Sequence, residues 1–171
     1  MKFSKLGDSG ETTLSGGQRV SKFDPRPDAY GTLDEASSAL GVARALTKDL
    51  RVKETLLSVQ KDLLTLGAVL STPPEDLPRL KIGIGESDVT RIETLIEDLQ
   101  KKVILKNEFI LPGETVVSAQ IDVGRTIIRR AERKAAKLRA DGLLDNEHIH
   151  QYLNRLADML FILARYEEQN R

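Results

Sequence analysis

The sequence predicts an all-α protein, an up-and-down five-helix bundle with an extended N-terminal glycine-containing arm. Three observations carry this. Five long segments repeat apolar residues at steps of three and four, the period of one helix face. No segment alternates apolar and polar residues as a half-buried strand would. The segments are separated by runs holding proline and glycine, which stop helices. The 171 residues form a single domain, with an arm over residues 1–28 and the bundle over 29–169.

The arm reads as neither a helix nor a strand ladder. It holds Gly7, Gly10, Gly16, Gly17, Pro25 and Pro27 among hydroxyl residues. Its stretch KLGDSGETT, followed by Lys22, suits either a tail with turns or an anion-binding loop. Glycines let backbone N–H groups approach an anion, and hydroxyls and lysine add donors. Neither a Walker A loop nor a dinucleotide fingerprint is present.

The first helix is expected from Ala29, because Pro25 and Pro27 block an earlier start. Tyr30, Leu33, Ala36, Ser37, Leu40 and Ala43 make its stripe, and Gly31 and Gly41 would admit another backbone. Asp34 is either a surface carboxylate or the partner of an arginine elsewhere. The second helix is expected over 48–70, with Val52, Leu56, Val59, Leu63, Leu66 and Leu70 inward. Residues 71–85, with three prolines and two glycines, form a loop. The third helix is expected over 86–106, with Ile92, Leu95, Ile96, Leu99 and Val103 inward. The segment FILPG, starting at Phe109, is either a packed connection or a pocket wall, and packing is the default.

The fourth helix, expected over 115–140, carries RTIIRRAER at 125–133, with four arginines and one glutamate. Val117, Ile121, Ile127, Ile128, Ala131, Ala135 and Leu138 are its apolar positions. Arg125, Arg129, Glu132 and Arg133 fall on one side, at i, i+4, i+7 and i+8. That side is either solvated, with pairs such as Arg129–Glu132, or an anion site, since guanidinium forks match phosphate oxygens two at a time. Asp141-Gly142 is its stop. The fifth helix, expected over 146–169, lines up Ile149, Leu153, Leu156, Leu160 and Leu163. Asn154, beside that stripe, needs a structural partner or a ligand.

Composition excludes several classes. Lys plus Arg and Asp plus Glu are both 26, so no basic field gathers nucleic acid, and aromatics at 4% offer no stacking platform. No apolar run approaches a membrane span. The absence of cysteine and of a signal-peptide core points to the cytoplasm. His148 and His150 point to different sides of one helix, and the single E-x-x-H of Glu147 and His150 falls short of the two on separate helices that a di-iron bundle site needs, so no protein metal site is expected. Neither a cysteine nucleophile nor a G-x-S-x-G elbow is on offer. What remains is anion binding at the arm and at the arginine helix, suited to a triphosphate with Mg²⁺.

Three blocks in order, from Ser4 to Arg165, carry a resemblance. They are GDSGETT with RVSK, AYGTLDE and ALG; FILPG with GRTIIRRAER; and YLNRLADMLFILAR. Together they resemble the PduO-type ATP:cob(I)alamin adenosyltransferases. The resemblance implies a five-helix bundle that assembles as a homotrimer with active sites between subunits. It implies transfer of the 5′-deoxyadenosyl group of ATP to cob(I)alamin, with release of triphosphate, and a reductase supplying the electron. ATP contacts would be Ser4, Lys5, Leu6, Gly7, Thr12, Lys22, Arg129, Arg130, Ala131, Glu132, Arg133 and Asn154. Arg129 and Glu132 would be the most sensitive to change, and Asp34 would pair with Arg125 across a subunit boundary. Phe109 would press on the lower corrin face and displace the cobalt's lower ligand. The chain departs from the family pattern at Leu6, where a threonine hydroxyl is usual, and at Glu114, Ile128 and Ala157. An alternative is a non-catalytic ATP- or corrinoid-binding sensor or delivery protein on the same fold. A third reading is a purely structural bundle with a charged face.

Overall fold

A computed structural model describes residues 5–105 and 107–170. The five helices are α1 (Pro25–Leu46), α2 (Leu50–Leu70), α3 (Glu86–Gln100), α4 (Val116–Ala140) and α5 (Glu147–Gln169). Around the bundle the neighbours run α2–α1–α4–α5–α3, and α2 meets α5 briefly. The stripes expected on α2, α4 and α5 are buried throughout. On α1, Leu33, Ala36, Leu40 and Ala43 are buried, while Tyr30 and Ser37 are half-buried beside a groove. No helix among the described residues is long and apolar enough to cross a membrane.

Polar side chains set the helix starts. Asp49 accepts from the Val52 N–H at 2.9 Å, and Thr115 and Ser118 cap each other's backbone N–H groups at 2.8 and 3.1 Å. Asn146 accepts from the His148 N–H at 2.9 Å and donates to the Ile84 carbonyl at 2.9 Å. Gly142, with φ +71°, turns the chain out of α4 as expected of a stop.

Four expectations change. The arm contains a two-stranded antiparallel hairpin, β1 (Glu11–Thr13) and β2 (Arg19–Ser21), with Thr12 opposite Val20. Three residues per strand are too few for a periodic signal. The first helix starts at Pro25, ahead of Ala29. Asp24 caps it through the Arg26 N–H at 2.9 Å, and a proline at the first helical position removes only an N–H that has no helical acceptor. The third helix ends at Gln100. Beyond it, the Ile104 N–H and carbonyl bond to the Gln169 side chain at 3.0 and 3.1 Å in place of helical partners. The closest approach between helices lies at Gly124 on α4, where a Cβ would strike Leu40 of α1. At Gly41 a Cβ would come within 3.1 Å of the Gln60 amide of α2, and Gly31 has open space around it.

Two buried polar ties were not legible beforehand. Arg26, 5% exposed, donates to the carbonyls of Leu70, Thr72 and Leu143 at 3.1, 3.0 and 2.7 Å. Burial lowers its pKa, against the opposing pull of Asp24 and Glu75. It fastens the start of α1 to the ends of α2 and α4. Asp62 of α2 accepts from Tyr152 of α5 at 2.6 Å and from Arg91 of α3 at 2.7 Å. Burial and the neighbouring Asp62 push the Tyr152 hydroxyl pKa upward.

Candidate functional site

The arginine face of α4 divides in two. In its N-terminal half Arg125 Nε pairs with Asp122 at 2.7 Å, and the Arg125 guanidinium lies over the Phe161 ring at 5.9 Å. Asp122 also accepts from Arg165 Nη2 at 2.7 Å, and Arg165 bonds to Glu168 at 2.9 Å. The Arg165 and Asp122 side chains are only 2% and 4% exposed. This cluster escaped the sequence reading. Its signals were the i, i+3 spacing of Asp122 and Arg125 and a lone arginine in the apolar end of the last helix.

In the C-terminal half one guanidinium is open. Arg129 is exposed, and its side chain has no partner among the described residues. The Arg129–Glu132 pair does not form. Glu132 Oε1 instead accepts from Asn154 Nδ2 of α5 at 3.1 Å. Arg133 donates to the Arg129 carbonyl at 3.0 Å, and Arg130 pairs with Glu35 of α1. Ala131 is buried, so it seats the helix while its neighbours face outward. Asn154 thus has the structural partner that its position demanded.

The arm carries the second group. Lys5–Gly7 form a short 3₁₀ turn, and a Cβ at Gly7 would lie 3.3 Å from Lys22 Nζ, so the lysine amine sits over that turn. Arg19 Nη2 holds the Leu6 carbonyl and Glu11, each at 2.9 Å. Leu6, in place of a hydroxyl residue, is exposed. Thr12 is half-buried in β1, and Ser4 lies outside the described residues. The arm is fastened to the end of α2 by the Ser15 N–H on the Ser71 carbonyl at 2.9 Å. Thr13 and Ser15 line a groove of about 360 Å³ between α1 and α2, together with Tyr30 and Asp34.

Asp34 is exposed and makes no ion pair among the described residues. The carboxylates of α1 that reach α4 are Asp28, on Lys134, and Glu35, on Arg130. Glu132 and Asn154 lie at the α4–α5 seam, two helices away from the α1–α2 groove. Phe23 of the arm shares a cleft of about 290 Å³ with Arg130, Arg133 and Lys134 of the basic helix.

Phe109 overturns the packing default. It is fully exposed, and Leu111 beside it is 86% exposed. Two apolar side chains presented this way on one loop form an uncovered edge.

A helical bundle with an open guanidinium on one helix, a glycine-spaced basic arm and an uncovered apolar edge presents donors of the kind that suit phosphate beside an exposed apolar surface. The chain belongs to the cobalamin adenosyltransferase family, whose model matches residues 2–167. It is 42% identical over 166 residues to a corrinoid adenosyltransferase of Citrobacter freundii, covering 97% of this chain and 94% of that one. It is 40% identical to a corrinoid adenosyltransferase of Mycobacterium leprae, covering 95% and 88%. Among solved structures it is similar to a phenylalanine-to-histidine variant of the PduO-type ATP:corrinoid adenosyltransferase from Lactobacillus reuteri, complexed with cobalamin and ATP. That match has a TM-score of 0.90 and 33% identity, and covers 97% of this chain and 90% of the other.

Proposed function

We propose that this chain transfers the 5′-deoxyadenosyl group of ATP to the Co(I) of a corrinoid. The observation that carries the proposal is Arg129, an exposed guanidinium without a side-chain partner among the described residues, next to the Glu132–Asn154 pair. In the reaction the Co(I) electron pair forms the Co–C5′ bond. The C5′–O bond breaks, triphosphate leaves with its electron pair, and the cobalt becomes formally Co(III). The attacking atom belongs to the substrate, so the protein needs no nucleophile of its own.

The chain's tasks are to position and to stabilise charge. Lys22 and the 3₁₀ turn hold one part of the triphosphate, and Arg129 and Arg133 take the charge that grows on it as it leaves. Magnesium, when bound, neutralises the phosphates and improves the leaving group. Such an ion arrives on the phosphates and asks for one or two carboxylates, which the single Glu132 among the arginines fits. Phe109 presses on the lower corrin face and displaces the axial ligand, which favours the electron-rich cobalt and eases delivery of the electron by a reductase.

We place the site between subunits of a homotrimer in the cytoplasm. Asp34 of one subunit would meet Arg125 of the next, and the arm would close over a neighbour's α4–α5 seam. The separation of arm and seam within one chain supports this arrangement.

The test mixes the protein with chemically reduced cob(I)alamin and Mg-ATP without oxygen and follows Co(I) absorbance and triphosphate release. Stoichiometric adenosylcobalamin and triphosphate are expected. Tight ATP binding without product would point to the sensor or delivery protein instead. Absence of both would leave only the charged bundle.

A further inference from the structure

The two histidines of α5 behave differently. His148 Nδ1 lies 3.1 Å from the Gln151 side chain, a surface contact within one turn. His150 turns toward α4, with Nε2 standing 3.9 Å from Glu132 Oε1. Its Nδ1 is sealed from solvent and has no hydrogen-bond partner among the described residues. That orphaned nitrogen selects the tautomer. A buried, unmade N–H is among the rarest groups in folded proteins, whereas an unused lone pair is tolerated better. The neutral ring therefore carries its proton on Nε2, the nitrogen that faces Glu132.

Asn154, one turn further along α5, donates to the same Glu132 Oε1 at 3.1 Å. Both α5 groups thus converge on one carboxylate oxygen, and Oε2 has no partner among the described residues. At 3.9 Å the His150 ring is beyond hydrogen-bond length in the free chain. A carboxylate placed among arginines that hold phosphate is repelled by that phosphate. It must therefore meet a cation or a donor that arrives with it.

We propose that His150 is a positioning residue for Glu132: its Nε2–H and Asn154 Nδ2 together hold Oε1, so that Oε2 is presented to the incoming magnesium–nucleotide. The inference rests on the nucleotide reading of the α4 face. It goes beyond it by giving a role to a side chain outside the arginine helix and by dividing the two oxygens of Glu132 between protein and ligand.

The test compares His150→Leu, which keeps bulk without a donor, with His150→Gln, which restores one. His150 is partly exposed, so both variants retain the bundle. Steady-state adenosylation is measured against ATP at saturating corrinoid. His150→Leu is expected to raise the ATP KM about tenfold with kcat within about twofold, since a hydrogen bond to a charged group is lost. His150→Gln is expected to return most of that loss, and the corrinoid KM stays unchanged in both. An unchanged ATP KM in His150→Leu, or equal behaviour of the two variants, would overturn the assignment. Calorimetric titration with Mg-ATP separates this from the function itself. A loss of ATP affinity in His150→Leu in a protein that makes no adenosylcobalamin would keep the His150 role and remove the reaction.

Discussion

Arg125 and Arg129 stand one turn apart on α4, and their surroundings are opposite. Arg125 is held through Nε by Asp122 and lies over the Phe161 ring, and behind it Asp122 is locked by the buried Arg165. Arg129 projects from the same helix with no side-chain partner among the described residues. Helix spacing alone makes the two equivalent. What separates them is the facing element. Opposite the first, α5 offers the Phe161 ring and the Arg165 that holds Asp122 in place; opposite the second, it offers an asparagine already committed to Glu132. An arginine locked into a buried network serves the fold and aims a neighbour, whereas one left open is available to an anion.

This contrast can be broken at either end. The largest effect is expected at the open end. Arg129→Ala should lower adenosylation about 10²–10³-fold, the scale of removing one donor that faces developing negative charge, with unchanged thermal unfolding. Near-normal turnover would remove its role. At the locked end the effect should move to stability. Asp122→Ala leaves the buried Arg165 with Glu168 as its one remaining carboxylate and should cost about 3 kcal/mol in urea unfolding, while the apolar pair Asp122→Leu with Arg165→Met should recover most of it. Phe109→Ala should leave unfolding unchanged, because the ring is fully exposed. It should slow adenosylation from cob(II)alamin with a reductase more than from chemically reduced cob(I)alamin. Equal slowing from both would argue against displacement of the lower ligand.

The smallest effect is expected far from both ends. The fold holds the Tyr152 proton more tightly than the unfolded chain does, because of burial and Asp62. The resulting stabilisation is complete below the unfolded tyrosine value of about 10 and is lost as pH rises beyond it. Tyr152→Phe should flatten the fall in stability between about pH 10 and 11, as read by urea midpoints. An identical slope in both proteins would contradict this.

The bundle was legible because long helices repeat their pattern many times, and every inward residue named on α2, α4 and α5 is buried. The arm was not, since its strands are three residues each and are held by backbone pairing and by Ser71. Pro25 looked like a barrier and is the first residue of the helix, because the cap at Asp24 cannot be told from a surface aspartate by composition. The arginine positions were visible and their fates were not. Periodicity places a side chain on a face, but partners such as Arg165, 40 residues downstream of Arg125, belong to the packing. Gly124 was passed over for the same reason, since only the facing Leu40 makes it necessary.

The most direct measurement of the central claim is complementation between the two regions. Lys22→Ala removes the lysine over the arm's 3₁₀ turn and Arg129→Ala removes the open guanidinium, and each alone should be nearly inactive. If the arm of one subunit completes a neighbour's α4 face, co-assembling equal amounts of the two should restore about a quarter of the sites in a trimer. Recovery toward that level is the predicted result. A mixture no more active than its components, with mixed oligomers shown to form, would mean that each chain builds its site alone and would contradict the account.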